Sequence, residues 1–157
     1  MTSSSKIPLA VEPSERMPEK TKGTISKDFK NQIPLFEDEW SKVFNGFIVL
    51  SWYYCPVPAS KTIKIDSIKA VYYRKQNMNK DVLKTKDWGM ALTKVWWACD
   101  AKRILRRANG PISYFNVVLD VGETTMKGFT CIRIDDLLNT IRPQLRKGVA
   151  IYDYFPF

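Results

Sequence analysis

The stretch ISYFNVVLDVGETTMKGFTCIRIDDLLNTIRPQLRK, residues 112–147, decides the fold class. Its first ten residues read as a strand, with Phe115, Val117, Leu119 and Val121 on one face and Asn116 and Asp120 on the other. Gly122-Glu123 supplies a turn, and Met126 to Arg133 a returning strand. The apolar period then lengthens from two residues to about 3.6. Ile134, Leu137, Leu138, Ile141 and Leu145 form one helical stripe. Asp135 and Asp136 sit in the first turn, and Arg142, Arg146 and Lys147 in the last, so both helix ends complement the backbone dipole. Gly148 is placed to stop the helix. An interior proline costs a helix about 3 kcal/mol, so Pro143 is expected to kink or end it.

Upstream the texture remains that of strands. Phe47 to Tyr54 is a run of aromatic and β-branched residues closed by Cys55-Pro56-Val57-Pro58. Thr62 to Asp66 alternates cleanly, and Ile68, Val71 and Tyr72 continue in a shifted phase, which predicts a bulge or bend near Asp66-Ser67. Trp88 to Ala98 is a further strand candidate, and Glu37-Asp38-Glu39-Trp40 reads as the start of a short helix. Strands followed by one amphipathic helix define an α+β domain. Residues 1–35 differ: Pro8, Pro13, Pro18 and Pro34 stand among Ser, Thr and Lys with Phe29 the lone aromatic, a composition expected to form a flexible arm. The core domain is thus expected over 36–147, with an aromatic tail at 148–157.

Three pieces together resemble a known family. These are Ile63-x-Ile65-x-x-Ile68-x-x-Val71, the strand Asn116 to Val121, and Lys127-Gly128-Phe129-Thr130 running into Ile134-Asp135-Asp136-Leu137-Leu138. They are similar to a pleckstrin-homology-like (PH-like) domain, closest to the compact bacterial-type and GRAM-like branch, over roughly residues 44–147. The resemblance implies an antiparallel, partly open β-barrel capped by the C-terminal helix. It also implies a scaffold that binds phosphoinositides, peptides or other subunits and has no shared catalytic residues. Lipid-binding members carry several Lys and Arg at the first strand-turn-strand, where this chain has Lys61 followed by Lys64.

The charge balance points to anionic partners. The chain carries 25 Lys and Arg against 16 Asp and Glu, a formal net charge of +9. The first 35 residues hold six basic and four acidic side chains, so most of the excess belongs to the folded part. Lys102, Arg103, Arg106 and Arg107 form the densest cluster; on a short helix they would share one face suited to phosphate groups, and on a hairpin they would fall partly on opposite faces. Arg74, Lys75, Lys80, Lys84 and Lys86 form a second basic stretch in a long connection. Trp88, Trp96 and Trp97 are core anchors or a stacking platform; adjacent Trp96 and Trp97 point to opposite faces if extended. Tyr152, Tyr154, Phe155 and Phe157 either fold back over the domain or dock into a protein partner.

Chemistry is constrained by what is missing. The chain has no histidine, which removes the commonest general base and the usual triads. Cys55, Cys99 and Cys131 show no C-x-x-C spacing, so neither a zinc site nor a disulfide framework is expected, and each thiol is expected to be buried. No phosphate-cradling glycine motif occurs. No cofactor is implied, and a signal peptide, transit peptide or membrane span is not expected, which favours a cytoplasmic protein, peripheral to the membrane at most. The expectation is a non-catalytic module for an anionic lipid surface or a protein partner. The alternatives are nucleic-acid binding through the same cations, or a structural subunit tied into an assembly by its two ends.

Overall fold

The structure, a computed structural model, describes residues 31–157 except Val82, with Asn79 described by its backbone alone. Residues 1–30, and with them most of the expected arm, lie outside the described residues.

The chain begins with a hairpin of β1 (Phe36–Glu37) and β2 (Ser41–Phe44), where a helix start was expected. Asp38 is the reason. Its Oδ1 accepts the backbone N–H of Trp40 at 3.0 Å and of Ser41 at 2.8 Å, and the Ser41 hydroxyl at 3.1 Å. A side chain that satisfies the next backbone donors in this way stabilises a turn in competition with a helix. Gly46, at φ +82°, then turns β2 into β3 (Phe47–Leu50). The expected strand to Tyr54 stops at Leu50 because the chain reverses through Trp52, at φ +54°. After that turn, β4 (Lys61–Lys64) completes a four-stranded antiparallel sheet in the order β1-β2-β3-β4.

The phase shift near Asp66 is a change of sheet, not a bulge. A 3₁₀ turn at Ile65–Ser67 carries the chain from β4 into β5 (Ala70–Lys75) of the second sheet. There follow a short α1 (Met78–Asp81), β6 (Gly89–Met90), β7 (Val95–Trp97), β8 (Phe115–Asp120), β9 (Met126–Cys131), α2 (Ile134–Ile141) and β10 (Ala150–Tyr152). The second sheet has six strands in the order β10-β5-β8-β9-β7-β6. Its β10–β5 and β7–β9 pairs are parallel and the others antiparallel. The fold is therefore α+β, two antiparallel-rich sheets with one C-terminal helix, and the strand pairing closes neither sheet into a barrel.

The main core lies among the two sheets and α2. Val43, Ile48, Leu50 and Ile63 come from the first sheet, Val71, Val117, Leu119 and Phe129 from the second, and Ile134, Leu137, Leu138 and Ile141 from the helix. The helix stripe is the one its spacing predicts, and α2 ends at Ile141, passing into a 3₁₀ turn at Arg142–Gln144 that contains Pro143. Gln144 Oε1 accepts the Gly46 N–H at 2.7 Å, pinning the helix end to the first hairpin.

The outer face of the second sheet is covered too. Val95, Trp97 and Val118 are fully buried there beneath Phe155, with Tyr72, Met126 and Phe157 packed around them. Segment 148–157 is thus a strand and a cover, not a tail. The Trp97 ring also fixes its neighbour strand. A Cβ on Gly128 would stand 2.5 Å from the indole, so only glycine fits. Among the described residues no helix is long and apolar enough to cross a membrane.

Candidate functional site

The basic cluster does not share a face. Neither a short helix nor a hairpin carries it: a 3₁₀ turn at Arg103–Leu105 separates the four cations. Arg103 points inward and is 2% exposed. Its Nη1 donates to the Lys86 and Asp87 carbonyls at 2.5 and 3.2 Å, and its Nη2 to the Ala98 carbonyl at 2.9 Å and Thr130 Oγ1 at 3.1 Å. The guanidinium lies over the Trp97 ring, 4.8 Å from its centroid. Arg106 is half-buried, paired with the Asp100 carboxylate through both terminal nitrogens, and stacked 3.8 Å over Tyr114 and 5.4 Å from Trp40. Lys102 and Arg107 are exposed. The four cations therefore divide into two that build the site and two that are presented by it.

The building half is a buried polar network between the two basic stretches. Gln76, Asp81, Asp100, Arg103, Asn116 and Thr130 are all buried. The Thr130 hydroxyl donates to Asp100 Oδ2 at 2.6 Å and accepts from Arg103 and from Gln76 Nε2 at 3.1 Å. Gln76 also donates to Asn116 Oδ1 at 2.9 Å and accepts from Arg106 at 3.1 Å. Asp81 pairs with Arg74, whose guanidinium lies 5.0 Å from the Phe155 centroid. Buried charges persist only when paired or hydrogen-bonded. Asp100, Arg103 and Arg106 are held by the hydrogen bonds above, and Arg74 and Asp81 by their ion pair, while Arg74 Nε is left without a hydrogen-bond partner among the described residues. Burial would raise the Asp100 carboxyl, but hydrogen bonds from Arg106 and Thr130 and the nearby guanidinium charges hold it below its ordinary value. Burial brings Arg103 down to about 10, which leaves it charged at neutral pH.

This network joins the lysine-rich connection to the arginine segment. Met78 N–H donates to the Arg106 carbonyl at 3.1 Å, Asp100 N–H to the Asp87 carbonyl at 2.8 Å, and Ile104 N–H to Asp87 Oδ1 at 3.0 Å. Residues 76–94 and 100–112 are thus two loops of one unit. Their outward side chains are of two kinds. Lys80, Lys86, Lys102 and Arg107 are exposed, as is Lys75 at the end of β5, and no ion pair involves them among the described residues. Between them stand large apolar groups in water: Leu92 is 85% exposed, Leu83 69%, Leu105 65%, Ile112 49% and Trp88 44%. Sequence reasoning marked the lysines and missed the leucines. Their signal was present: apolar residues isolated in a charged connection, without the periodicity that would bury them.

The other expected sites fall elsewhere. Lys64 is exposed and Lys61 half-buried on β4, where Lys61 lines a small cleft of about 220 Å³ with Tyr53, Trp96 and Lys127. Lys102 lines a different depression, of about 350 Å³, with Trp40, Trp52, Arg106 and Tyr114. Among the described residues these two depressions are separate, and neither is lined by both Lys61 and Lys102. Trp97 is core and Trp96 half-buried, its indole N–H donating to the Tyr53 carbonyl at 3.0 Å. The C-terminal aromatics largely serve the fold itself. Phe155 is buried, Phe157 stacks on it at 5.3 Å, and Tyr152 stacks on Tyr72 at 5.3 Å. Tyr154 remains half-exposed at 50%. Phe155 is therefore unavailable to a partner while the fold is intact. Comparison with family models, curated proteins and solved structures found no match to this chain.

Proposed function

We propose that this chain is a non-catalytic, PH-like binding module that docks on an anionic membrane surface through loops 76–94 and 100–112. The observation that carries the reading is the alternation of unpaired cations with water-exposed Leu83, Trp88, Leu92 and Leu105 on two loops braced from beneath by Arg103 and Asp100. Each class of side chain suits one layer of a bilayer surface. Lys and Arg near an anionic leaflet are worth about 1 kcal/mol each, and shallowly inserted apolar groups add burial in proportion to area. Tryptophan favours the headgroup level between them. The PH-like reading is supported by the sheets and helix that share one core, while β10 adds a parallel strand after the helix.

Co-sedimentation with vesicles tests this. Phosphoinositide and phosphatidylserine vesicles of equal charge, and neutral vesicles, are compared at low and near-physiological salt. Binding to anionic vesicles that survives physiological salt and falls for K80E/K86E/K102E/R107E is the expected result. Loss of binding with salt in the unaltered chain contradicts the reading. Nucleic-acid binding is a second reading, favoured by the half-exposed Trp52 ring beside Lys102 and Tyr114. A bulky residue at positive φ is uncommon and clusters at ligand sites. It predicts that a short single-stranded oligonucleotide quenches the fluorescence of Trp52 and displaces the vesicles.

A further inference from the structure

The chain contains two Asn-Gly pairs, Asn45-Gly46 and Asn109-Gly110. Such a pair is prone to self-modification, because glycine carries no Cβ to shield its backbone nitrogen from the neighbouring side-chain amide. Both asparagines are exposed, so exposure does not separate them. The backbone does. Asn45-Gly46 closes the β2–β3 hairpin, where the Gly46 N–H donates to Gln144 Oε1 at 2.7 Å and the Gly46 carbonyl accepts the Ile65 N–H at 2.9 Å. Turning that nitrogen onto the Asn45 side chain breaks the first bond against the restraint of the second. Asn109-Gly110 lies between the 3₁₀ turn at Arg103–Leu105 and β8, in no strand or helix. Its Gly110 N–H reaches the Arg107 carbonyl only at 3.4 Å, beyond the roughly 3.2 Å limit of an ordinary N–H···O bond. Asn109 and Gly110 line an open depression of about 700 Å³ with Asn77 and Arg107, which leaves room for ring closure and for water.

We propose that Asn109 is a self-modifying site, converted by its own backbone to aspartate and isoaspartate while Asn45 is spared. The Gly110 nitrogen gives its proton to water and attacks Asn109 Cγ. The bond from Cγ to the side-chain nitrogen breaks, and that nitrogen takes a proton back from water and leaves as ammonia. A succinimide ring remains. Water then opens the ring at either carbonyl. Opening at Cγ leaves aspartate, and opening at the main-chain carbon leaves isoaspartate, whose backbone runs through the side chain. One water is consumed, one ammonia is released, and nothing is oxidised or reduced. Either product carries a carboxylate in place of an amide two residues from Arg107, lowering the formal net charge of +9 by one. On the membrane-docking reading this carboxylate lies on a docking loop and is repelled by an anionic leaflet. That consequence rests on the reading, and the conversion itself does not.

The test ages the full chain in mildly alkaline buffer, digests it in acid so that work-up adds no conversion, and maps both Asn-Gly peptides by mass and retention. The expected result is amide-to-acid conversion at Asn109, with an isoaspartate isomer, several-fold ahead of Asn45. In urea the lead disappears, because the hydrogen bonds that protect Gly46 are gone. Gly110→Ala is expected to slow conversion at Asn109 several-fold in an intact fold, since a Cβ there meets nothing closer than 3.7 Å. An unchanged Asn109, equal conversion of the two sites in the folded chain, or a lead that persists in urea overturns the proposal. The unaltered chain decides it, so a variant that fails to fold leaves the result intact. Vesicle binding reads the consequence separately, with Asn109→Asp expected to bind anionic vesicles several-fold more weakly than the parent. Equal binding overturns the consequence. A parent that binds no vesicle overturns the docking reading, while the peptide map still decides the conversion.

Discussion

The C-terminal segment and the paired loops 76–94 and 100–112 look alike as sequence, since both place large apolar residues outside any regular period. The structure treats them in opposite ways. The C-terminal segment adds β10 beside β5 and turns Phe155 onto Trp97, so its aromatics close the outer face of the second sheet. The loops leave Leu83, Leu92 and Leu105 in water. The difference lies in company. Tyr152 and Phe155 have Tyr72, Val118 and Trp97 to pack against, whereas Leu83, Leu92 and Leu105 join neither apolar cluster. The first segment belongs to stability, and the proposed function assigns the second to binding.

That division breaks most visibly in the network beneath the loops. Arg103→Ala leaves Asp100 with one charged partner fewer and strips donors from three carbonyls, so it is expected to cost about 3–5 kcal/mol in denaturant unfolding. Phe155→Ala opens a cavity over Trp97 and is expected to cost about 3 kcal/mol, with vesicle binding by the folded fraction unchanged. Gly128→Ala drives a methyl group into the Trp97 ring, and about 1–3 kcal/mol is expected from overpacking. The smallest effect on stability belongs to Leu83→Ser/Leu92→Ser. It is expected within about 0.5 kcal/mol of the parent, while vesicle affinity falls several-fold.

Protonation tests the network without mutation. The Asp100 carboxyl sits below its ordinary 3.8 in the fold. A depressed carboxylate stabilises the fold above its unfolded-state value and loses that contribution as pH falls through the folded one. Thermal unfolding should therefore show a loss of stability beginning near pH 3.8 and deepening below it, and Asp100→Asn should remove that part of the acid dependence.

Much of the fold was legible because its pattern is local. The α2 stripe, its end near Pro143 and the β8–β9 pair follow from spacing alone. The first hairpin was misread because Glu37-Asp38-Glu39 has a helix-start composition, and the turn depends on where one carboxylate oxygen points. The site was less legible. Asn116 reads as the polar face of a strand, yet it is fully buried because Gln76 and Thr130 arrive from other strands and loops to complete the network. Four cations in six residues gave no sign that Arg103 and Arg106 would spend their donors on carbonyls and a carboxylate. Such partners are set by tertiary pairing, which no spacing records.

The most direct measurement is amide hydrogen exchange of the full chain, free and bound to anionic vesicles at physiological salt. Membrane docking by the loops predicts new protection at residues 83–92 and 104–112, with residues 150–157 equally protected in both states. New protection at 150–157 with none at the loops would contradict it.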